Sequence, residues 1–178
     1  MISRDFSDDY LSTVRMHLRP LRQSDDAALF LVTSDPEVMR FWDWPEHTSP
    51  TITTAFVAAL LEEVAAGKAH YWAICLGRKG RVIGTSDLSE IDEHHRRAEV
   101  GFMVAREYWG KGYAFEAMHT VIEYAVRSIG IERFRHRHTR EMNAPRCSSD
   151  ALASCLRVRF AVMSSVVGSA AIAGCSGA

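Results

Sequence analysis

Two glycines flanking a lysine, Gly110-Lys111-Gly112, separate an apolar run of strand length, Val100 to Val104, from a long segment of helical period, Tyr113 to Ile129. A strand that runs through glycines into a helix N-terminus is a place to hold phosphate. The first amide N–H groups of the helix have no acceptor within it. The helix dipole favours an anion there, and glycine lets the backbone come close. The Walker pattern fails, because Gly112 follows Lys111 and no glycine stands at the required upstream position. The dinucleotide fingerprint needs a third glycine in fixed order, which Gly110 and Gly112 do not supply. Lys111 could help at the phosphates or simply be a solvated charge.

The run from Glu99 to Ala114 resembles the acetyl-CoA signature of the GNAT acetyltransferase superfamily, Gln/Arg-x-x-Gly-x-Gly/Ala. It is read here as Trp109-Gly110-Lys111-Gly112-Tyr113-Ala114. Trp109 takes the slot of Gln or Arg, a departure common in the branch that includes ribosomal-protein N-terminal acetyltransferases. Ala98-Glu99-Val100-Gly101-Phe102 before the motif is similar to the same branch. The resemblance implies acetyl transfer from acetyl-CoA, used as co-substrate, to a primary amine. The acceptor would be a protein N-terminus or a small-molecule amine such as a polyamine. It also implies that main-chain groups of Phe102, Met103 and Val104 hold the pantetheine arm like an added strand. The diphosphate would sit on amides of Gly110 to Ala114, in the loop opened by Trp109, and the amide of Asn143 would contact the cofactor arm.

Such a transfer needs a neutral amine, so a base must remove a proton. Glu99 is the first candidate, because the related Ala-Glu-x-Gly motif places a carboxylate near the acceptor. Its other reading is a structural carboxylate paired with Arg97 or Arg133. Glu90, Asp92 and His94 are weaker candidates on a polar connection. No cysteine stands in the motif to act as nucleophile, so direct attack in a ternary complex is expected. Trp42, Trp44 and Tyr108 could wall an acceptor pocket or be aromatic core. His136 and His138 lie at i, i+2 without a defined pair of partner ligands, so no metal is expected.

The elements that must position these residues follow from the pattern. Met1 to Thr13 reads as a loose N-terminus. Val14 to Leu21 alternates as a strand, and Ser24-Asp25-Asp26 opens a helix over Ala27 to Val32. Asp35 caps a short helix through Met39. A longer helix, Thr51 to Ala66, turns Phe56, Leu60 and Val64 to the core. Strands at His70 to Leu76, Val82 to Leu88 and Ala98 to Val104 form a meander through a turn at Gly77 to Gly80. The long helix presents Ala114, Met118, Val121, Ala125 and Ile129, stops at Gly130, and leads to a strand from Ile131 to His138. This order is the GNAT order. The fold class implied is α/β, with a mixed, mostly antiparallel central sheet flanked by helices, over residues 14–145.

The chain of 178 residues carries 21 basic and 22 acidic residues and a net charge of −1. That balance gives no argument for a nucleic-acid or membrane partner. The oligomeric state stays open, a homodimer included. The N-terminus carries Arg4, Asp5, Asp8 and Asp9 and no apolar core, so no signal peptide is read and a cytoplasmic location is expected. Cys75, Cys147, Cys155 and Cys175 then read as thiols.

After Pro145 the character changes. Residues 147–178 hold only Asp150, Arg157 and Arg159 as charges. Arg146 stands where the resemblance expects Ser, and no Gly-Phe follows. Codons for Arg146 to Val158 can be chosen so that a shifted frame reads Leu-Leu-Lys-Arg-Arg-Ala-Gly-Phe-Val-Pro-Glu-Gly, which is similar to the missing helix and turn. A frame-shifted tail, a divergent terminus and an anchor over Phe160 to Ala178 are the three readings left by the sequence.

Overall fold

The computed structural model describes residues 10–77 and 80–135, all within one compact unit, Met1–Glu141. Asn143, the His136 and His138 pair and the tail from Arg146 lie outside the described residues.

Among the described residues six strands form one sheet in sequence order: β1 (Leu11–Ser12), β2 (Met16–Pro20), β3 (His70–Leu76), β4 (Val82–Asp92), β5 (Arg97–Val104) and β6 (Arg133–Arg135). All neighbours are antiparallel except β5 and β6, which run parallel. The helices are α1 (Asp26–Thr33), α2 (Pro36–Met39), α3 (Pro50–Ala65) and α4 (Tyr113–Tyr124). The architecture is the expected mixed, mostly antiparallel sheet flanked by helices. The additional strand β1 falls in a stretch whose polar character reads as loose. It forms because Leu11 and Ser12 lie opposite Leu18 and His17 of β2.

The register assigns each side chain to a face, because directly paired antiparallel residues point the same way. One face carries Arg19, Tyr71, Ala73, Thr85, Asp87, Gly101 and Met103. Helices α1 and α3 cover it, and Leu21, Leu29, Val57, Ala73 and Cys75 form its buried cluster. On α3 the fully buried positions are Thr53 and Val57, with Phe56 and Leu60 half-buried beside them. The other face carries Leu18, Trp72, Ile74, Ser86, Leu88 and Val100. Helix α4 lies there: the Tyr124 ring meets Trp72 edge-on at 5.6 Å between centroids.

Helix α4 buries Ala117, Met118 and Val121. A π-type turn over Ala125–Ile129 then widens the spiral, so that Ile131 N–H donates to the Ala125 carbonyl at 3.1 Å. The extra residue shifts the helical phase, which is why Ala125 and Ile131 are buried while Ile129 is only half-buried. Gly130 ends the segment at φ +82°.

Ser24-Asp25-Asp26 does open a helix, but the Asp25 side chain, at the start of α1, makes no cap bond. Its buried carboxylate takes two bonds from Arg19, at 2.9 and 2.6 Å, and one from the Arg22 amide at 2.9 Å. A single turn, Gln23–Asp25, precedes α1 instead. Asp35 does cap α2, accepting from the Glu37 amide at 3.0 Å.

A buried polar chain ties α1 to α3. The hydroxyl of Thr33 lies 3.1 Å from that of Thr53, which is 2.9 Å from Nδ1 of His47. Burial pushes the His47 imidazole below its ordinary value. The neutral form is therefore favoured on folding. Its contribution is complete above about pH 6.5 and is lost as the pH falls from there through the lowered folded value. Urea unfolding of wild type and His47→Gln at pH 7.5, 6 and 5 is expected to show the wild type losing more stability on acidification than the variant.

Candidate active site

The site is built where β5 leaves the sheet. The Ala105 amide donates to the Ile83 carbonyl on β4 at 2.9 Å, and the Val104 carbonyl accepts the Trp109 indole N–H at 2.7 Å. Main-chain groups of successive strand residues alternate in direction. Gly101, Met103 and Ala105 therefore face β4, whereas Phe102 and Val104 direct theirs to the opposite edge. On that edge β6 pairs with Arg97, Ala98 and Glu99. Of Phe102, Met103 and Val104, the first and last direct their main-chain groups away from β4, with the Val104 carbonyl engaged by Trp109. Met103 instead turns its backbone inward and buries its side chain with Val32, Val38 and Met39.

Beyond the strand, a single turn over Arg106–Tyr108 leads to Trp109, Gly110, Lys111 and Gly112. Gly110 has φ +71° and Gly112 φ +78°, both in the left-handed region. Gly112 is the N-cap of α4, and the first helical bond runs from the Glu116 amide to the Gly112 carbonyl at 3.0 Å. Helix geometry leaves the amides of Tyr113, Ala114 and Phe115 ahead of that bond without an intrahelical acceptor. A Cβ on Gly110 would meet no atom within 4 Å beyond the two adjacent residues, so the glycine there answers a local backbone requirement rather than crowding by the rest of the fold. The half-buried Trp109 ring packs against Phe41 at 6.0 Å and joins the cluster around Met103. Lys111 folds back over the turn, with Nζ 2.8 Å from the Glu107 carbonyl and 5.8 Å from the Tyr108 ring centroid.

On the face covered by α1 and α3, cross-strand pairing collects acidic groups. Asp87 lies opposite both Tyr71 and Gly101, and Ser89 lies opposite Glu99. A Cβ on Gly101 would stand 2.4 Å from Oδ1 of Asp87, so glycine is required for the carboxylate to lie there. Tyr71 donates to Glu63 at 2.8 Å. Burial first, then the charges of Asp87, Glu63 and Glu99, push the Tyr71 phenol far above its ordinary value. Arg97 and Arg133, the proposed partners of Glu99, are engaged with Asp92 and with the His95 carbonyl.

The sequence family described as the acetyltransferase (GNAT) domain matches residues 15–145. This chain belongs to the GNAT acetyltransferase family. It is 31% identical over 123 residues to the uncharacterized N-acetyltransferase p20 of Bacillus licheniformis, covering 69% of each chain. It is 28% identical over 115 residues to the spermidine N(1)-acetyltransferase of Escherichia coli K12, covering 64% of this chain and 59% of that one. Its fold matches the ribosomal L7/L12 α-N-protein acetyltransferase RimL in complex with coenzyme A. There the TM-score is 0.69 and the identity 19%, over 85% of this chain and 82% of that one.

Within this N-acetyltransferase the expected residues divide. The signature residues Trp109 to Ala114 and the β5 edge are brought together at the entrance to α4. Trp42 and Trp44 lie 5.0 Å apart beside Met103, whereas Tyr108 turns to Tyr113 at 5.8 Å, away from them. Asp92 belongs to the β4–β5 turn: the His95 amide and ring and Arg97 hold its carboxyl down at about 2. His94 stacks edge-on to His95, and Glu90 sits exposed at φ +49°. Asp87 and Tyr71 escaped the sequence reading. Their spacing carries no signal, since only the pairing of β3, β4 and β5 brings them beside Glu99. Among the described residues no group of three or more His, Cys, Asp or Glu is placed to hold a metal ion.

Trp109→Phe keeps an aromatic ring and removes the donor to Val104. It is expected to cost about 1 kcal/mol in urea unfolding, the net worth of one such bond, and an unchanged midpoint would contradict the anchoring role.

Proposed function

We propose that this GNAT-family chain transfers acetyl from acetyl-CoA to a primary amine by direct attack in a ternary complex. The observation that carries the reading is the pair of left-handed glycines, Gly110 and Gly112, at the entrance to α4, directly beyond the edge of β5. Amides of Gly110 to Ala114 would hold the diphosphate, and Phe102 and Val104 would offer their edge to the pantetheine arm. Acetyl-CoA supplies an activated thioester carbonyl. Glu99, through water, takes a proton from the ammonium group, the freed amine nitrogen bonds to the carbonyl carbon, and the carbon–sulfur bond breaks as the excess nitrogen proton passes to the departing thiolate, giving amide and thiol.

Glu63, Asp87 and Glu99 share a face, which suits a cationic amine acceptor. The spermidine-specific relative supports a polyamine, and the ribosomal-protein branch supports a protein N-terminus. A cytoplasmic site of action accords with the balanced charge, and no helix among the described residues is long and apolar enough to cross a membrane.

A thiol-release assay with acetyl-CoA against a panel of peptides and amines is the test. Activity on at least one class of amine is expected, and none on any would sink the reading. Glu99→Gln should lower kcat about 100-fold, the scale of general-base catalysis, with coenzyme A affinity kept. A variant as fast as wild type would remove Glu99 from the base role. An inactivated acyl-CoA binder is the second reading, favoured by the departure after Pro145, and it has no turnover for Glu99→Gln to reduce.

The catalytic domain is taken as residues 14–145 and the tail from Arg146 as out of frame, leaving Asn143 as the last cofactor residue. The family match stopping at residue 145 supports this. Resequencing the gene through codon 146 is expected to reveal a missing or extra base, and an intact frame ends the idea.

A further inference from the structure

Arg15 lies in the turn between β1 and β2, far in sequence from the phosphate turn, yet its contacts converge on the start of α4. Nη1 donates to the Lys111 carbonyl at 2.8 Å. Nε donates to Oε2 of Glu116 at 2.7 Å, and the Arg15 amide donates to Oε1 of the same carboxylate at 3.1 Å. The guanidinium carbon stands 4.3 Å from the Tyr113 ring centroid, and Nη2 would be 3.4 Å from a Cβ on Gly112. Arg15 is itself fixed to the sheet, since its carbonyl accepts the Gly77 amide at 3.3 Å.

The core contacts of α4 begin one turn later, at Ala117 and Met118. The entrance turn is thus held from one side by Trp109 on Val104 and from the other by Arg15. The charge of Arg15 has a second consequence. Glu116 places a carboxylate in the first turn of α4, where a bound diphosphate would be repelled by it. Burial alone would raise the Glu116 pKa, but hydrogen bonds from Thr13 and Arg15 hold it below its ordinary value, so the carboxylate stays ionised and paired.

We infer that Arg15 is a positioning residue for the coenzyme A turn: it braces the Lys111 carbonyl and Glu116, holding the start of α4 in place and offsetting the Glu116 carboxylate there. The inference rests on the acetyl-CoA reading above for its ligand, but the bracing itself does not.

The test uses the full chain with coenzyme A as probe, comparing wild type, Arg15→Ala and Arg15→Lys. Calorimetry is expected to show Arg15→Ala binding about tenfold more weakly, the loss of one charge-assisted contact. The Michaelis constant for acetyl-CoA should rise by the same factor, with kcat within about twofold of wild type, because the reacting groups are untouched. Arg15→Lys should fall between, since an ammonium can pair with Glu116 without also reaching the Lys111 carbonyl. In the ligand-free protein, NMR order parameters of Gly110 to Ala114 should drop in Arg15→Ala. Wild type that binds no coenzyme A would defeat the acetyl-CoA reading, and the order parameters would still decide the bracing. Unchanged affinity in Arg15→Ala, or an unchanged turn, would overturn the role of Arg15. Should Arg15→Ala not fold, Arg15→Lys decides by the same two measurements.

Discussion

The structure depends on the reversal of the chain between β5 and α4. The polypeptide leaves the sheet at Val104 and must enter a helix across the other face within a few residues. Two backbone positions take left-handed φ to do so, Gly110 and Gly112. A side chain at either would bring its Cβ against the neighbouring carbonyl, at a cost of about 1–2 kcal/mol. The same reversal leaves the first amides of α4 without intrahelical acceptors. A helix entrance that favours an anion is therefore a by-product of the geometry that joins strand to helix.

The sheet contributes the other half. Its register sets Asp87 beside Gly101 and Ser89 beside Glu99, so the carboxylates share the face that α1 and α3 partly roof. Burial, and after it the charges of Asp87, Glu63 and Glu99, raise the cost of ionising the Tyr71 phenol. The glycine turn ahead of α4 lies beyond the end of β5, whereas Asp87 and Glu99 belong to the sheet face covered by α1 and α3.

Much of this was legible in the chain. The meander appears as apolar runs bounded by turn residues, α2 as Asp35-Pro36, α4 as a long helical period ending in Gly130, and the turn ahead of α4 as Gly110 and Gly112 at a strand-to-helix junction. Each of these signals is local. The misreadings are local patterns overridden by distant partners. Ser24-Asp25-Asp26 has the look of a simple helix opening, but Arg19 on β2 claims the Asp25 carboxylate. Ile129 fits the apolar spacing of α4, but the widened turn after Tyr124 passes its burial on to Ile131.

Sequence alone determined the family, the order of the elements and the location of the glycine turn ahead of α4, because these are encoded in short-range periodicity and in glycines that answer to their own backbone. Tertiary structure alone decided which main-chain groups of β5 face away from β4, which carboxylates stand beside Glu99, and that Arg15 contacts the entrance of α4. Those outcomes depend on strand register and on contacts across about a hundred residues, where the spacing of residues along the chain carries no information about their distance in space.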